Sequence, residues 1–236
     1  MPTRSNQGEA ELNFLDRLAR TTGRRTFLHW AGLTIGVVAL GCGDDDDDDG
    51  GTGPGTDVNL GTGDTGVLNY AYALEQLEAA FYTQVVASFY AGAPAAEQTM
   101  LTDIKNHEVI HRDFFKAALG AAAIADLTVT FASVNLADRT SVLSAARTFE
   151  DLGVSAYNGA GQLLTVPANL VTAGRIVSVE ARHAAAIRDL ITADSFAGSD
   201  VINAQGLDVV RTPTAVLQAA DPFITTTINA SGLPTA

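Results

Sequence analysis

Cysteine is all but missing from this chain. Cys42 is the only one among 236 residues, so no disulfide can form within the molecule. Positive charge is scarce too. Fourteen Lys and Arg stand against 27 Asp and Glu, a formal charge of −13, which argues against nucleic acid as a partner. Five of the basic residues fall within the first 41 positions, so the remainder is more acidic still. The apolar run AGLTIGVVALG (31–41) stops at eleven residues, too short to span a bilayer as a helix. Histidine appears only four times. What is present in quantity, 47% hydrophobic residues with 17% charged, is enough for one domain with a sizeable core.

Residues 1–42 read as a targeting segment and not as part of a fold. TGRRTFLHW (22–30) resembles a twin-arginine export signal: Arg24 and Arg25, one residue, then Phe27 and Leu28, with the short apolar run behind them. An ordinary secretory signal is the alternative. Cys42, following VALG, looks like a lipoprotein processing site, although Ala39 and Gly41 would also pass as a weak small-x-small cleavage site. The expectation is an exported protein, periplasmic or on the cell surface, held to a membrane through a lipid anchor. Residues 43–66 hold six consecutive Asp followed by Gly, Thr and Pro, and read as a solvated tether.

From Val67 onward apolar residues recur at helical spacing. Helices are expected over 67–90, 96–119, 138–164 and 168–192, separated by Gly92 and Pro94, by Gly120, and by Pro167. The stretch 121–137 is extended in pattern and longer than the other connections. Two helical hairpins joined by one long crossover make an all-α, ferritin-like four-helix bundle over 67–193. Residues 194–236 are left as a short C-terminal extension packed on the bundle.

Two of the scarce histidines occupy matching places. His111 follows Glu108 by three residues, and His183 follows Glu180 by three. Three residues is close to one helical turn, so each carboxylate and imidazole share a face and can ligate one ion together. The first and third helices carry Glu75 and Glu150, each with a tyrosine seven residues on, Tyr82 and Tyr157. The order Glu, Glu-x-x-His, Glu, Glu-x-x-His is the di-metal carboxylate arrangement. Two divalent cations bring four positive charges into the core. Glu75, Glu108, Glu150 and Glu180 neutralise them, and His111 and His183 complete the set. So oxygen-rich a set suits two iron or manganese ions better than zinc.

Glu78, three residues after Glu75, is a supporting acid, a spare ligand or a solvated residue; its counterpart in the third helix is Gly153. Tyr82 and Tyr157 are either packed aromatics or donors to the ligating carboxylates. His107 points about 100° away from Glu108 and reads as a surface or interface residue. GVSAYNGAG (153–161) is rich in small residues for a helix, which suggests close helix approach around the metal site, with local unwinding as the alternative.

The stretches LNYAYALEQLEAAFY, HEVIHRDFF, FEDLGVSAYNGA and VEARHAAAIR, together with the tail LDVVRTPTAVLQAADPFI, resemble exported bacterial ferritin-like proteins related to the desiccation-related proteins. The resemblance covers residues 67–224 and implies a bundle with a di-iron or di-manganese centre. It implies little about the reaction; open positions on the two metals would bind dioxygen or peroxide, so handling of dioxygen, peroxide or ferrous ion is the activity expected, as in a di-iron oxidase or a manganese catalase. A non-enzymatic stress-related or desiccation-related surface protein with structural metals is the alternative.

Overall fold

The computed structural model describes residues 57–235. Arg24, Arg25 and Cys42, the expected signal, and the tether as far as residue 56 lie outside the described residues. The last part of the expected tether is not tether. Val58 and Leu60 are buried, Val58–Asn59 forms a short strand, β1, and the first helix, α1, begins at Gly63 (Gly63–Ala87). The polar Gly-Asp-Thr-Gly start of α1 carries no apolar periodicity, which is why its first turn reads as linker in the sequence.

Three more long helices follow: α2 (Ala95–Leu119), α3 (Arg139–Gly161) and α4 (Pro167–Ile191). Local chemistry sets their ends. Gly120, at φ 55°, terminates α2 and donates its N–H to the Lys116 carbonyl. Asp138 caps α3 by accepting from the Ser141 N–H at 2.7 Å. Pro167 opens α4 at a position where a missing N–H costs nothing. Asp64, in the first turn of α1, accepts from the N–H groups of Thr165 and Val166 and from the side chains of Thr165 and Asn169, so it binds the start of α4 to the start of α1.

α1 packs mainly on α2 and α3 mainly on α4, and the two hairpins meet through α1 and α3. α1 is buried almost all round, with Tyr70, Tyr72, Ala73, Leu77, Phe81 and Tyr82 at 1% exposure or less. Burying each large apolar side chain is worth about 1.5–3 kcal/mol, so α1 is the main hydrophobic contributor to the bundle. α2 and α4 bury a single stripe each.

The crossover from α2 to α3 is pinned by two polar side chains of α1 that lie seven residues apart. Asn69 donates to the carbonyls of Leu60 and Ala122 and accepts from the Ile124 N–H. Gln76 accepts from the Leu127 N–H at 2.7 Å. The C-terminal extension then covers what remains of α1 and α3. Thr130 donates its N–H to the Phe223 carbonyl, Thr225 donates its N–H to the Thr128 carbonyl, and a second strand, β2 (Ile228–Asn229), pairs in parallel with β1. A short helix, α5 (Pro213–Ala220), packs on α3.

Candidate metal centre

Six side chains from the four long helices converge in the bundle core. α1 supplies Glu75, α2 Glu108 and His111, α3 Glu150, and α4 Glu180 and His183. The four glutamates are fully buried, His183 is 5% exposed and His111 is largely covered. They form two overlapping groups, Glu75, Glu108, His111 and Glu180, and Glu108, Glu150, Glu180 and His183, with the candidate ligand atoms of each group within 4.8 Å of one another. Glu108 and Glu180 belong to both.

The two tyrosines are donors, and they cross between the halves of the bundle. Tyr82 of α1 donates to Glu150 Oε1 at 2.6 Å, and Tyr157 of α3 donates to Glu75 Oε1. Seven residues is about two turns, so each tyrosine shares a face with its own glutamate but stands two turns away from it. Because α1 and α3 run antiparallel here, two turns along one helix is level with the glutamate of the other.

These bonds leave a specific remainder. Glu75 Oε2, Glu150 Oε2, both oxygens of Glu108 and of Glu180, and Nδ1 of His111 and of His183 are buried without a hydrogen-bond partner among the described residues. They are nonetheless close together. His111 Nδ1 is 2.9 Å from Glu180 Oε1, 3.5 Å from Glu75 Oε2 and 3.7 Å from Glu108 Oε2. His183 Nδ1 is 2.8 Å from Glu108 Oε1, 3.5 Å from Glu150 Oε2 and 3.9 Å from Glu180 Oε2. The unbonded atoms thus divide into two sets of three oxygens and one nitrogen, with one oxygen of each shared glutamate in each set. Lone pairs that converge without bonding one another are what a cation needs and what an apolar core otherwise penalises. The residues present fit a pair of metal ions.

The electrostatics are correspondingly tense. Burial raises Glu75 to about 7, and it raises Glu150 and, well above the usual carboxylate range, Glu180; neighbouring carboxylates add to each effect. Burial also acts to raise Glu108, but the imidazoles of His111 and His183 outweigh it and hold Glu108 at about 2. Burial acts to lower both histidines. The surrounding carboxylates win, lifting His111 to about 12 and His183 to about 10.

Residues 63–193, more than half of the chain, match the ferritin-like domain family. The chain belongs to that family. No curated protein matches it. The ferritin-like domain begins where α1 begins and ends just past α4, so the C-terminal segment that covers α1 and α3 lies outside the matched span.

Three features of this ferritin-like domain go beyond its helix pattern. Glu78 is buried in the core and faces the four other carboxylates. His107 is exposed, as its phase on α2 implies, yet its Nδ1 lies 2.9 Å from His183 Nε2 and the two rings stack. A neutral His183 that offers Nδ1 to an ion carries its proton on Nε2, and His107 is placed to accept it. Finally, the small residues of α3 serve two different neighbours. Gly153 faces Glu78, and Gly159 faces the backbone of Arg211 in the C-terminal extension.

Proposed function

We propose that this protein is a di-metal carboxylate protein that holds two iron or manganese ions and handles dioxygen, peroxide or ferrous ion. The division of the buried unbonded atoms into two four-atom sets carries the reading. Glu75 and His111 would hold one ion, Glu150 and His183 the other, and Glu108 and Glu180 would offer one oxygen to each. Bound iron or manganese would supply redox chemistry toward oxygen species. The chain's own part is to orient and to insulate. Tyr157 and Tyr82 each fix one oxygen of Glu75 and Glu150, which aims the other oxygen inward. His107 holds the tautomer of His183. Phe81 packs edge-on against Tyr82 and against Phe131 and Phe149, so Tyr82 lies fully buried beside an aromatic cluster.

The export signal at Arg24 and Arg25 and the lipid anchor at Cys42 extend this reading to the cell envelope. A bundle that folds and loads before export escapes competition from copper and zinc outside, which bind such donors more tightly than iron or manganese do.

Elemental analysis of natively produced protein tests the centre. About two ions per chain are expected. Glu108→Ala or Glu180→Ala should lower both occupancies, and Glu75→Ala or Glu150→Ala chiefly one. Trace metal only in the unaltered protein would overturn the proposal. Oxygen uptake with ferrous ion, or oxygen release from peroxide, separates an enzyme from a stress-related protein whose metals are structural.

A further inference from the structure

The two halves of the bundle fail to repeat at one core position. Glu78 stands one turn beyond Glu75 in α1, and the residue one turn beyond Glu150 in α3 is Gly153. The structure joins these two departures in one contact. A Cβ on Gly153 would lie 3.0 Å from Glu78 Oε1 and 3.6 Å from Glu180 Oε2. Gly153 has ordinary helical backbone, so no turn requires it. A glycine inside a helix costs about 1 kcal/mol relative to alanine. What the missing Cβ provides is room for the Glu78 carboxyl.

That carboxyl is a second, independent sign of a ligand. Glu78 is only 3% exposed, and the charges that act on it most strongly are those of four carboxylates, Glu108, Glu180, Glu150 and Glu75. It is also directed to one side of the centre. The Glu180 oxygen beside it, Oε2, is the one near His183, whereas Oε1 faces His111.

We propose that Glu78 is a seventh protein ligand, taken by the ion that Glu150 and His183 hold and not by its neighbour. The inference rests on the two-ion reading above and adds an inequality to it. One ion has four protein ligands and the other five, although the six-residue pattern is symmetric. The fifth carboxylate brings one negative charge beyond the four that two divalent ions balance, so it favours a higher metal charge at that position.

The test is a manganese(II) titration of the metal-free full-length chain, with free manganese followed by electron paramagnetic resonance. The unaltered protein should bind two ions with unequal affinities. Glu78→Gln keeps the shape and removes the charge. It should weaken one binding event by more than about a hundredfold, beyond the loss of about 10–100-fold that removal of a supporting outer group causes, and leave the other nearly unchanged. Gly153→Ala leaves all seven side chains in place and should cause the same selective loss by crowding Glu78. Glu78→Gln with both affinities intact overturns the proposal. So does an equal weakening of both, which would mark Glu78 as a source of field and not a ligand. Unaltered protein that binds no manganese overturns the two-ion reading itself, and this inference falls with it.

Discussion

Tyr82 and Tyr70 sit three turns or so apart on the same buried helix, and their hydroxyls have opposite fates. The Tyr82 hydroxyl donates to Glu150, while the Tyr70 hydroxyl is buried with no partner among the described residues. Removing a buried donor whose acceptor stays behind costs about 1–3 kcal/mol, whereas removing an unsatisfied hydroxyl relieves a desolvation penalty. Tyr82→Phe should therefore destabilise the metal-free protein by that amount in urea unfolding. Tyr70→Phe should be neutral or stabilising in the same experiment, and a comparable loss for both would show that the hydroxyl partners have been misassigned. The residue scale is also where sequence reading worked best and then stopped. Glu108 with His111 and Glu180 with His183 were legible because both members of each pair lie on one helix, where spacing alone fixes their relation. The partner of Tyr82 was not legible, because it depends on the direction of α3, which no local spacing encodes.

Elements meet through their smallest residues, and the same substitution should act in opposite directions at two glycines. An added Cβ at Gly159 of α3 would lie 1.8 Å from the Arg211 carbonyl oxygen, where the C-terminal segment runs along the helix and Arg211 donates its N–H to the Ser155 carbonyl. Gly159→Ala should push that segment away. Overpacking of this kind costs about 1–3 kcal/mol. Trypsin cleavage after Arg211 should accelerate accordingly. Gly174, inside α4, has nothing within 4 Å of its would-be Cβ and no positive φ. Gly174→Ala should raise stability by up to about 1 kcal/mol through helix propensity alone. If Gly159→Ala melts and resists trypsin like the unaltered protein, the extension does not lie on α3 as described. The four helices and the crossover could be read from periodicity and breakers. The close approach at 153–161 could be suspected from composition, but not that a carboxyl fills one gap and a returning strand of backbone the other. Nor does the sequence announce that Asn69 and Gln76 hold the crossover, since buried amides look like any polar residues until their backbone partners arrive from more than 45 residues away.

For the whole molecule, the centre sets a conflict between protons and metal. In the metal-free protein Glu75 is raised to about 7 by burial, and Glu78, Glu150 and Glu180 are raised as well. A carboxyl with a raised folded value binds a proton in the folded state that the unfolded chain has already released. Its contribution to stability is whole below the usual carboxylate range and is lost as pH rises through the folded value. His111 and His183, raised to about 12 and about 10, act with the same sign, losing stability from the ordinary histidine range upward. Within the centre Glu108 alone acts oppositely, and only below the usual carboxylate range, because its folded value is about 2. The metal-free protein should therefore be most stable near pH 5 and weaken steadily toward pH 9. Metal reverses the direction. An ion needs the carboxylates ionised and the imidazoles neutral, so protons compete with it and the loaded protein should weaken as pH falls. Thermal unfolding across that range, with metal and after chelation, should give two curves of opposite slope that cross. Chelation at pH 8 should lower the unfolding midpoint, and chelation at pH 5 should change it little or raise it. Parallel curves would mean that the ions do not sit among these carboxylates.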